Sequence, residues 1–413
     1  MRILVLSQYY DPDPIPKPSE VAEQLARRGH EVFVLAGLPN YPTGVLAPGY
    51  RLRPLMRETR GGVSVYRVAE LPYHGRSVAR RLLNYGSFLL MAATFALFIP
   101  KPDVTYVWHP PLTNGLAAWW GGLRSGAPFL LDVQDIWPDE GIAAGLIREG
   151  NLVRFFRRLE RFAYQRAAKI FVVTEAAKTN LVAKGVLPAK VDVSPNWIDP
   201  QWFVTPPHDE LTRARQELSG SNRFIVTFAG NVGYMQGLGV ILRAAEVLRD
   251  RKDIGLRVIG SGPDLEGLRG QAQELALDNV RFLGRRSLPE TAALLHASDV
   301  LLVHLRRGPV AEAVVPTKTL AYLAVGRPIL MAMQGEAAAV VTASNSGMAV
   351  PSEDPDALAE AILLLSGKTA AELGAMGSRG RSYAAEHYSR DKLVDHLESS
   401  LIEIARTYTR CRD

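Results

Sequence analysis

Short apolar segments alternate with helical patterns along the whole chain, and this order constrains the fold more than any other feature. In the first half the strand-like segments are Ile3–Ser7, Glu31–Ala36, Val104–Trp108, Phe129–Val133, Ile170–Thr174 and Val191–Val193. After a proline-rich break at 195–207 they are Phe224–Ala229, Leu256–Ile259, Val280–Phe282, Val300–Val303, Ile329–Met331 and Met348–Val350. Apolar strands separated by helices predict a parallel sheet covered on both faces, so we predict two α/β domains facing each other across a cleft.

We place the first domain at residues 1–205, joined by the last helix at 388–413, and the second at 206–387. A chain of 413 residues is long enough for two cores, and 47% hydrophobic with 22% charged residues is typical of a globular protein. The single cysteine, Cys411, supports neither an internal disulfide nor a cysteine metal cluster. That usage fits a reducing cytoplasm.

One apolar run, at 88–99, raises the question of a membrane. Its 12 residues are fewer than the roughly 20 that a helix needs to cross a bilayer. The opening MRILVLS is likewise too short for a signal peptide. The run therefore predicts either a buried core helix or an interfacial helix, the latter because Arg76, Arg80 and Arg81 precede it.

Basic charge is concentrated in the first half, where residues 1–205 carry 24 Lys+Arg against 17 Asp+Glu. One predicted helix has arginines on one face and apolar side chains on the other: Arg154, Arg157, Arg158 and Arg161 against Leu152, Phe155, Phe156, Leu159 and Phe162. This pattern is typical of a solvated surface helix, or of a helix that binds an anionic membrane or a phosphorylated acceptor. Nucleic acid is disfavoured because aromatic residues are not interleaved with the charges.

Glycine-containing loops follow successive strands of the second half. Gly230 and Gly233 lie in the first of these loops, Gly260 in the next, and Gly284 directly precedes Arg285. Glycine permits close approach of backbones, and a helix that starts after such a loop offers its amides to a phosphate. Each loop alone is also compatible with a plain connection, but their repetition at strand ends favours a phosphate site.

The segment EAVVPTKTLAYLAVGRPIL, from Glu312 to Leu330, places Thr317 and Lys318 at a predicted helix start. Unpaired amides beside a lysine form an anion site. The spacings GxGxxG, GxxxxGK[ST], HExxH and GxSxG are absent, so a nicotinamide site, a phosphate-binding P-loop, a zinc protease site and a hydrolase elbow are not supported. We expect neither a metal nor a cofactor.

The motifs AGNVGYMQGL, VIGSGPDLEGL, VRFLGRR and VPTKTLAYLAVGRPIL together resemble the donor domain of retaining glycosyltransferases of family 4. In the first half, RGHEVFVLAGLPNYPTG, HPPLTNG, DVQDIWPDEGIAAGL and SPNWID extend the resemblance over nearly the whole chain. The resemblance implies the GT-B fold, two facing Rossmann-like domains. The branch that the chain most resembles is that of bacterial O-antigen and capsule transferases related to those that add N-acetyl-L-fucosamine.

This resemblance implies an enzyme that moves a hexosyl or N-acetylhexosaminyl group from a nucleotide sugar, expected to be a UDP-sugar, with retention of configuration. The implied acceptor is a polyprenyl-pyrophosphate-linked saccharide, and the implied process is cell-surface polysaccharide synthesis. The implied location is cytoplasmic and peripheral, on the inner face of the plasma membrane. A nucleotide-sugar epimerase of the same fold and a non-catalytic sugar-nucleotide-binding subunit remain alternatives, because a fold does not fix a function.

For the donor, the resemblance assigns Gly230, Asn231, Gly233, Gln236, Leu283, Arg285, Glu312, Thr317 and Lys318. Asn231 and Gln236 stand where many relatives have an arginine and a lysine. Ala313 and Ala321 stand where relatives have two glutamates. Lys318 would then supply much of the charge beside the diphosphate, and Glu312, one residue from the expected register, would hold a sugar hydroxyl.

For the first domain, His109 follows a strand and precedes two prolines, so we expect it to be exposed and to match the family's histidine beside the donor sugar. Asp135 also follows a strand, where it would accept the proton of the acceptor hydroxyl or act as a helix cap. Lys17 would contact a phosphate or remain solvated. The residues expected to contact the acceptor or the membrane are Lys17, Arg76, Arg80, Arg81, Arg154 and Arg158.

Overall fold

The computed structural model describes residues 1–75, 77–143, 147 and 149–410 of the chain. Arg76, predicted to contact the acceptor or the membrane, and Cys411 lie outside the described residues. The strands in chain order are β1 (Arg2–Ser7), β2 (Glu31–Gly37), β3 (Leu55–Arg60), β4 (Val63–Val68), β5 (Val104–His109), β6 (Phe129–Val133), β7 (Lys169–Val172), β8 (Val191–Val193), β9 (Phe224–Ala229), β10 (Ile254–Ile259), β11 (Val280–Gly284), β12 (Val300–His304), β13 (Ile329–Ala332) and β14 (Gly347–Val350).

Helices connect most of these strands. In chain order they are α1 (Pro16–Arg27), α2 (Val78–Phe95), α3 (Thr113–Ser125), α4 (Asp139–Ala143), α5 (Asn151–Arg166), α6 (Glu175–Ala183), α7 (His208–Ser219), α8 (Gly239–Val247), α9 (Leu265–Glu274), α10 (Leu288–Ala297), α11 (Pro309–Ala313), α12 (Thr317–Val325), α13 (Glu336–Ala343), α14 (Pro355–Ser366), α15 (Ala370–His387) and α16 (Arg390–Arg410). Of the helices that the structure describes, none combines the length and the apolar character that crossing a membrane requires.

The chain divides into two compact units, Met1–Pro195 with Asp391–Asp413, and Asn196–Arg390. The division follows Pro195, whereas the sequence pattern placed it at residue 205. In the first unit the strand order is β3-β4-β2-β1-β5-β6-β7-β8, and in the second it is β11-β10-β9-β12-β13-β14. The predicted α/β class, with two sheets of this kind, is confirmed.

One edge of the first sheet differs from the prediction of a purely parallel arrangement. Strand β3 runs antiparallel to β4, with Glu58 opposite Val65, and neither strand was predicted. The sequence of β3, LMRETR, alternates between exposed and half-buried side chains, so it lacks the continuous apolar run of a central strand. Half-exposed edge strands therefore escape a search for apolar segments.

The interior strands of the second unit are apolar because both faces of the sheet are covered. In β9, Val226 and Phe228 belong to the core on one side of the sheet, while Ile225 and Ala229 belong to the core on the other. Successive side chains of a strand point to opposite faces, so a sheet that is covered on both faces has apolar residues at most positions of its interior strands.

The last helix, α16, packs within the first unit through a set of ion pairs. Arg28 Nη1 lies 2.5 Å from Asp395 Oδ1 and 2.6 Å from Glu398 Oε2. His30 Nε2 lies 2.7 Å from the other oxygen of Glu398. The pKa of Glu398 is lowered, because these hydrogen bonds outweigh the opposing effect of desolvation. Contacts distant in sequence thus place α16 beside α1 and β2.

Candidate functional site

A cavity of about 480 Å³ opens at the carboxyl ends of β9, β10 and β11 in the second unit. Five of the predicted donor-binding residues line it, namely Gly230, Asn231, Arg285, Thr317 and Lys318. The sequence did not single out several other lining residues, among them Trp202, Ser261, Arg286 and Tyr322. Parallel sheets bind their ligands at this edge, because the loops that follow the strands converge there.

Two glycines bring the loops of this cavity into direct contact. Gly230 has φ +143°, and a Cβ atom there would lie 2.8 Å from Lys318 Nζ. Gly260 has φ +140°, and a Cβ atom there would overlap the carbonyl oxygen of Gly230. Side chains other than hydrogen are strained at such φ values and would also clash here. The glycine loops therefore fix how closely Lys318 approaches the backbone.

Lys318 places a buried basic group inside the cavity, which Arg285 and Arg286 also line. Its Nζ lies 3.7 Å from the ring centroid of Phe228, and the atom has no hydrogen-bond partner among the described residues. Burial lowers the pKa of Lys318 to about 7, since the charged form loses its hydration without gaining a counter-ion. A buried ammonium group without a counter-ion favours an anionic ligand.

Hydrogen bonds from His304, the last residue of β12, and from Arg306 hold the loop between β9 and α8 in place. His304 Nδ1 lies 2.6 Å from the Gln236 carbonyl, and His304 Nε2 accepts a hydrogen bond of 3.0 Å from the Glu353 amide. Arg306 Nε donates to the Tyr234 carbonyl at 2.8 Å. These positions require a neutral imidazole protonated at Nδ1, and burial lowers the pKa of His304 accordingly.

Asn231 and Gln236, the two amides that stand where relatives have cations, bind each other. Asn231 Nδ2 donates to Gln236 Oε1 at 3.1 Å. This hydrogen bond joins two positions of the loop after β9 and adds no charge to the loop. Of the remaining predicted donor residues, Gly233, Gln236, Leu283 and Glu312 are not among the residues that line the cavity, and Glu312 is exposed on α11.

In the first unit, His109 is fully buried, so the predicted exposure is wrong. It is the last residue of β5 and pairs with Val133 of β6, which places its side chain inside the sheet layer. Both ring nitrogens lack a hydrogen-bond partner among the described residues. Burial lowers the pKa of His109 to about 4, so the imidazole is neutral at pH 7.

Lys17 is also buried, so the alternative of a solvated lysine is wrong. Its Nζ lies 3.0 Å from Asp132 Oδ2. The same carboxylate accepts hydrogen bonds of 2.6 Å from Tyr106 Oη and Gln134 Nε2. Asp135, three residues beyond Asp132, is partly buried just after β6, and burial raises its pKa. The charge of Lys17 is therefore compensated within the first unit.

The predicted acceptor or membrane residues Arg80 and Arg81 lie in the first turn of α2. Arg158 and Arg154 are exposed on α5, where Arg154 contacts Asn151. Helix α5 fully buries none of the five residues that form its predicted apolar face. Its buried residues are Val153, Glu160, Ala163 and Tyr164, whereas Leu152 and Phe155 are exposed.

Helix α2, which contains most of the apolar run, has two different faces. Phe88 and Ala92 are buried in the core of the first unit. Leu83 and Leu90, two turns apart on the opposite face, are 60% and 67% exposed. An exposed apolar stripe beside arginines is typical of interfacial helices.

A smaller cavity of about 290 Å³ lies in the first unit, between α5 and the segment after α6. Its two lysines are already engaged, and Lys184 Nζ lies 2.8 Å from Asp139 Oδ2 and 2.7 Å from Glu160 Oε1. Lys190 Nζ donates to the Gln165 carbonyl at 3.0 Å. The lysines of this cavity therefore have protein partners, whereas Lys318 Nζ has no hydrogen-bond partner among the described residues.

Comparisons with known proteins agree with this architecture. Residues 18–197 match the family described as Glycosyl transferase 4-like domain, and residues 223–367 match Glycosyl transferases group 1. WcaI of Escherichia coli (strain K12), described as a colanic acid biosynthesis glycosyl transferase, is 30% identical over 336 residues, which cover 79% of this chain and 82% of WcaI. WbjE of Pseudomonas aeruginosa, described as a glycosyltransferase, is 29% identical over 268 residues, which cover 64% of this chain and 65% of WbjE.

Among solved structures, the crystal structure of Anabaena Alr3699/HepE in complex with UDP and glucose has a TM-score of 0.71. It is 16% identical and covers 97% of this chain and 99% of that chain, so it supports the fold alone. The family matches and the similarity to WcaI extend over both units. The chain therefore belongs to glycosyltransferase family 4 of the GT-B superfamily.

Proposed function

We propose that the second unit binds the diphosphate of a UDP-sugar in the 480 Å³ cavity and that the enzyme transfers the sugar to a lipid-linked saccharide. The observation that carries this proposal is Lys318, whose buried Nζ approaches Gly230 without a hydrogen-bond partner among the described residues. A buried cation without a counter-ion reduces folding stability. A bound diphosphate would offset that loss.

The groups around Lys318 suit a diphosphate. Thr317 begins α12, so the amides of the first turn and the positive end of the helix dipole face the cavity. Arg285 is exposed on the cavity wall, whereas Arg286 already pairs with Glu217. When the bond to the sugar breaks, negative charge builds up on the departing UDP, and Lys318 with these amides would stabilise it.

The Asn231–Gln236 pair changes how the glycine loop contributes. Two amides bound to each other hold the loop in shape but add no cation beside the phosphates. We infer that the loop supplies backbone contacts and that Lys318 supplies most of the charge. Glu312 is exposed outside the cavity lining, so a contact with a sugar hydroxyl would need a shift of α11.

For the chemical step we propose retention of configuration without a covalent nucleophile, by positioning and stabilisation of the leaving diphosphate. His109, as a neutral imidazole, would exchange hydrogen bonds with the donor sugar. Asp135 would accept the proton of the acceptor hydroxyl, and its raised pKa makes it a stronger base than an ordinary aspartate. We expect no metal ion or cofactor to take part.

For the biological role we propose cell-surface polysaccharide synthesis with a polyprenyl-pyrophosphate-linked acceptor, in the branch that resembles N-acetyl-L-fucosamine transferases. WcaI, which is described for colanic acid biosynthesis, supports the process. UDP, the nucleotide in the HepE complex, is the nucleotide that we propose for this chain. The exposed leucines of α2 beside Arg80 and Arg81 support peripheral binding to the inner face of an anionic membrane.

The test of the donor site is calorimetric titration of UDP into the wild-type protein and into Lys318→Met. Methionine keeps the volume of the side chain but removes the charge, so we expect about 10- to 100-fold weaker binding. The matched control is Lys252→Met, an exposed lysine of the same unit, which should bind UDP as the wild type does. Equal affinity of the Lys318 variant and the wild type would rule out this site.

The epimerase alternative is separated by incubating the protein with UDP-sugars alone. A transferase leaves the configuration of the nucleotide sugar unchanged without an acceptor. Formation of an epimer under these conditions, detected by NMR of the sugar ring protons, would contradict the transferase assignment. The alternative of a non-catalytic subunit predicts that cells with the Lys318→Met variant make as much glycan as cells with the wild type.

A further inference from the structure

A polar cluster at the carboxyl edge of the first sheet is not used by the proposed donor site. Asn40 follows β2, and both Glu70 and His74 follow β4. Strands β2 and β4 are parallel neighbours, so the segments that follow them meet at the same edge of the sheet. This is the edge at which parallel sheets bind their ligands.

The cluster begins at the buried carboxyl group of Glu70. Gln8 Nε2 donates to one of its oxygens at 2.5 Å, and Asn40 Nδ2 donates to the other. A Cβ atom at Gly37 would lie 2.9 Å from Glu70 Oε1, so the chain leaves room there for the carboxyl group. Burial raises the pKa of Glu70 to about 8, and even the protonated group keeps one oxygen that accepts from Asn40.

Asn40 then determines which ring nitrogen of His74 carries the proton. Asn40 Nδ2 also donates to the Leu38 carbonyl at 2.7 Å, so both of its amide protons are engaged. The amide oxygen of Asn40 consequently faces His74 Nε2, 2.6 Å away. Because an amide oxygen can only accept, the proton of this hydrogen bond lies on His74 Nε2.

The other ring nitrogen of His74 is left as an acceptor. Burial, with a smaller effect of Arg81, lowers the pKa of His74, so the ring is neutral at pH 7. A neutral imidazole protonated at Nε2 carries a lone pair on Nδ1. The ring is half-buried, and the described residues give Nδ1 no hydrogen-bond partner.

Two tyrosines complete the surface around this lone pair. The ring centroid of Tyr41 lies 5.1 Å from that of His74 and 5.2 Å from that of Tyr9, and the Tyr9–His74 distance is 5.8 Å. Tyr41 is 39% exposed, whereas Tyr9 is buried beneath it. Asp13 Oδ1 accepts the amides of Asn40 and Tyr41 at 2.9 Å each, which fixes this segment of backbone.

We propose that Tyr41 and His74, supported by Tyr9, form a subsite for a sugar ring of the acceptor, in which a sugar hydroxyl donates to His74 Nδ1. A pyranose ring has an apolar C–H face that packs on an aromatic ring and hydroxyl donors around its edge. The cluster offers aromatic faces and a neutral acceptor and has its carboxyl groups buried, so it suits an uncharged saccharide. Glu70 and Asn40 are positioning residues. This assignment rests on the proposed transferase function, and it adds where the acceptor is held.

The binding test uses saturation-transfer NMR of the full-length protein with a panel of methyl hexosides and methyl N-acetylhexosaminides. We expect at least one glycoside to receive saturation from the wild type. Tyr41→Ala and His74→Phe should each reduce that transfer at least severalfold, since phenylalanine keeps the ring but removes the acceptor nitrogen. His208→Phe, at the exposed start of α7 in the second unit, is the matched control and should leave it unchanged.

Two results would overturn the subsite: no saturation of any glycoside by the wild type, or equal saturation by wild type and by the two subsite variants. UDP titration of the same variants separates this failure from failure of the proposed function. If UDP binds with unchanged affinity while glycoside transfer does not respond, only the subsite is wrong. If UDP binds nowhere, the donor assignment fails first.

The positioning role of Asn40 has a readout of its own. In ¹⁵N spectra of the histidine rings, His74 of the wild type should show the Nε2–H tautomer, and Asn40→Leu should lose this preference. Asn40→Asp should restore it and raise the pKa of His74, because a carboxylate accepts the same proton. If the tautomer is Nδ1–H in the wild type, or does not change in Asn40→Leu, Nδ1 is not the acceptor that the subsite requires.

Discussion

The two units contain sheets of the same class, yet their carboxyl edges treat charge differently. In the second unit, the buried Lys318 has no hydrogen-bond partner among the described residues. In the first unit, the buried Lys17 lies 3.0 Å from Asp132, and the carboxyl group of Glu70 accepts two amide donors. The edge of the second sheet has a cation without a counter-ion, which an anionic ligand would supply. At the edge of the first sheet the charged groups already have partners, so that edge suits a neutral ligand.

The comparison predicts opposite effects for the same substitution in the two units. Lys17→Met leaves Asp132 buried without its cation, so the free energy of unfolding should fall by about 3–5 kcal/mol. Lys318→Met removes an uncompensated charge, so the free energy of unfolding should stay equal or rise. Urea unfolding measures both. The double variant Lys17→Met/Asp132→Asn should recover part of the stability that Lys17→Met loses. A similar loss of stability in Lys17→Met and in Lys318→Met would contradict the difference between the two units.

The glycine loops around Lys318 should be intolerant of a single methyl group. Gly260→Ala adds a Cβ atom that overlaps the Gly230 carbonyl at a strained φ, so we expect a loss of about 3 kcal/mol or more and loss of UDP binding. Gly29 of the first unit also has a positive φ, +87°, but a Cβ atom there would have no neighbour within 4 Å. Gly29→Ala should therefore cost only about 1 kcal/mol, and equal losses would argue against loop contact as the cause.

Binding of UDP should depend on pH through Lys318. Its pKa is about 7 in the unliganded protein, and a bound diphosphate raises it by favouring the charged form. Above pH 7 binding must therefore take up a proton, and the affinity should fall by up to about tenfold for each pH unit. Calorimetry in buffers of different ionisation enthalpy measures the uptake, which should vanish in Lys318→Met. Proton release on binding would contradict this assignment.

The smallest expected effect concerns membrane binding, which we propose for the first unit. Leu83→Glu and Leu90→Glu place charge on the exposed face of α2 and should lower partitioning onto phosphatidylglycerol vesicles severalfold. Replacing Arg80 by glutamine should lower it by about 1 kcal/mol. Leu364→Glu, an equally exposed leucine of the second unit, is the control. Flotation assays measure the protein that is recovered with the vesicles. Equal recovery of the wild type with phosphatidylcholine and with phosphatidylglycerol vesicles would show that the arginines do not contribute.

Much of the fold was predictable because central parallel strands carry a strong local signal. Strands β6 and β9 have the predicted bounds, Phe129–Val133 and Phe224–Ala229. Strand β3 was missed because this edge strand has no continuous apolar run, and β4 was missed because polar residues interrupt its sequence, VSVYRV. The position of α16 also had no local signal, since Arg28 is hundreds of residues from Asp395 and Glu398 and meets them only in the folded chain.

The candidate site was also predictable only in part. Glycine and helix-start patterns indicated Gly230, Thr317 and Lys318, and the structure brings these three to one cavity. The sequence could not show that Asn231 and Gln236 bind each other, or that Glu312 lies outside the cavity lining. Nor could it identify His304 as the residue that holds the glycine loop, because that contact depends on the pairing of strands.

The sequence by itself determined the α/β class, the glycosyltransferase family and the lysine at the start of α12, because each depends on residues that are close together along the chain. Only the tertiary structure decided which charges are compensated. Lys17 and Lys318 are both lysines in the first turn of a helix, and nothing nearby in sequence distinguishes them. Asp132 reaches Lys17 from a strand more than a hundred residues away, while no such carboxylate reaches Lys318 among the described residues. The free energy of a buried charge depends on its partners in space, and the fold supplies those partners.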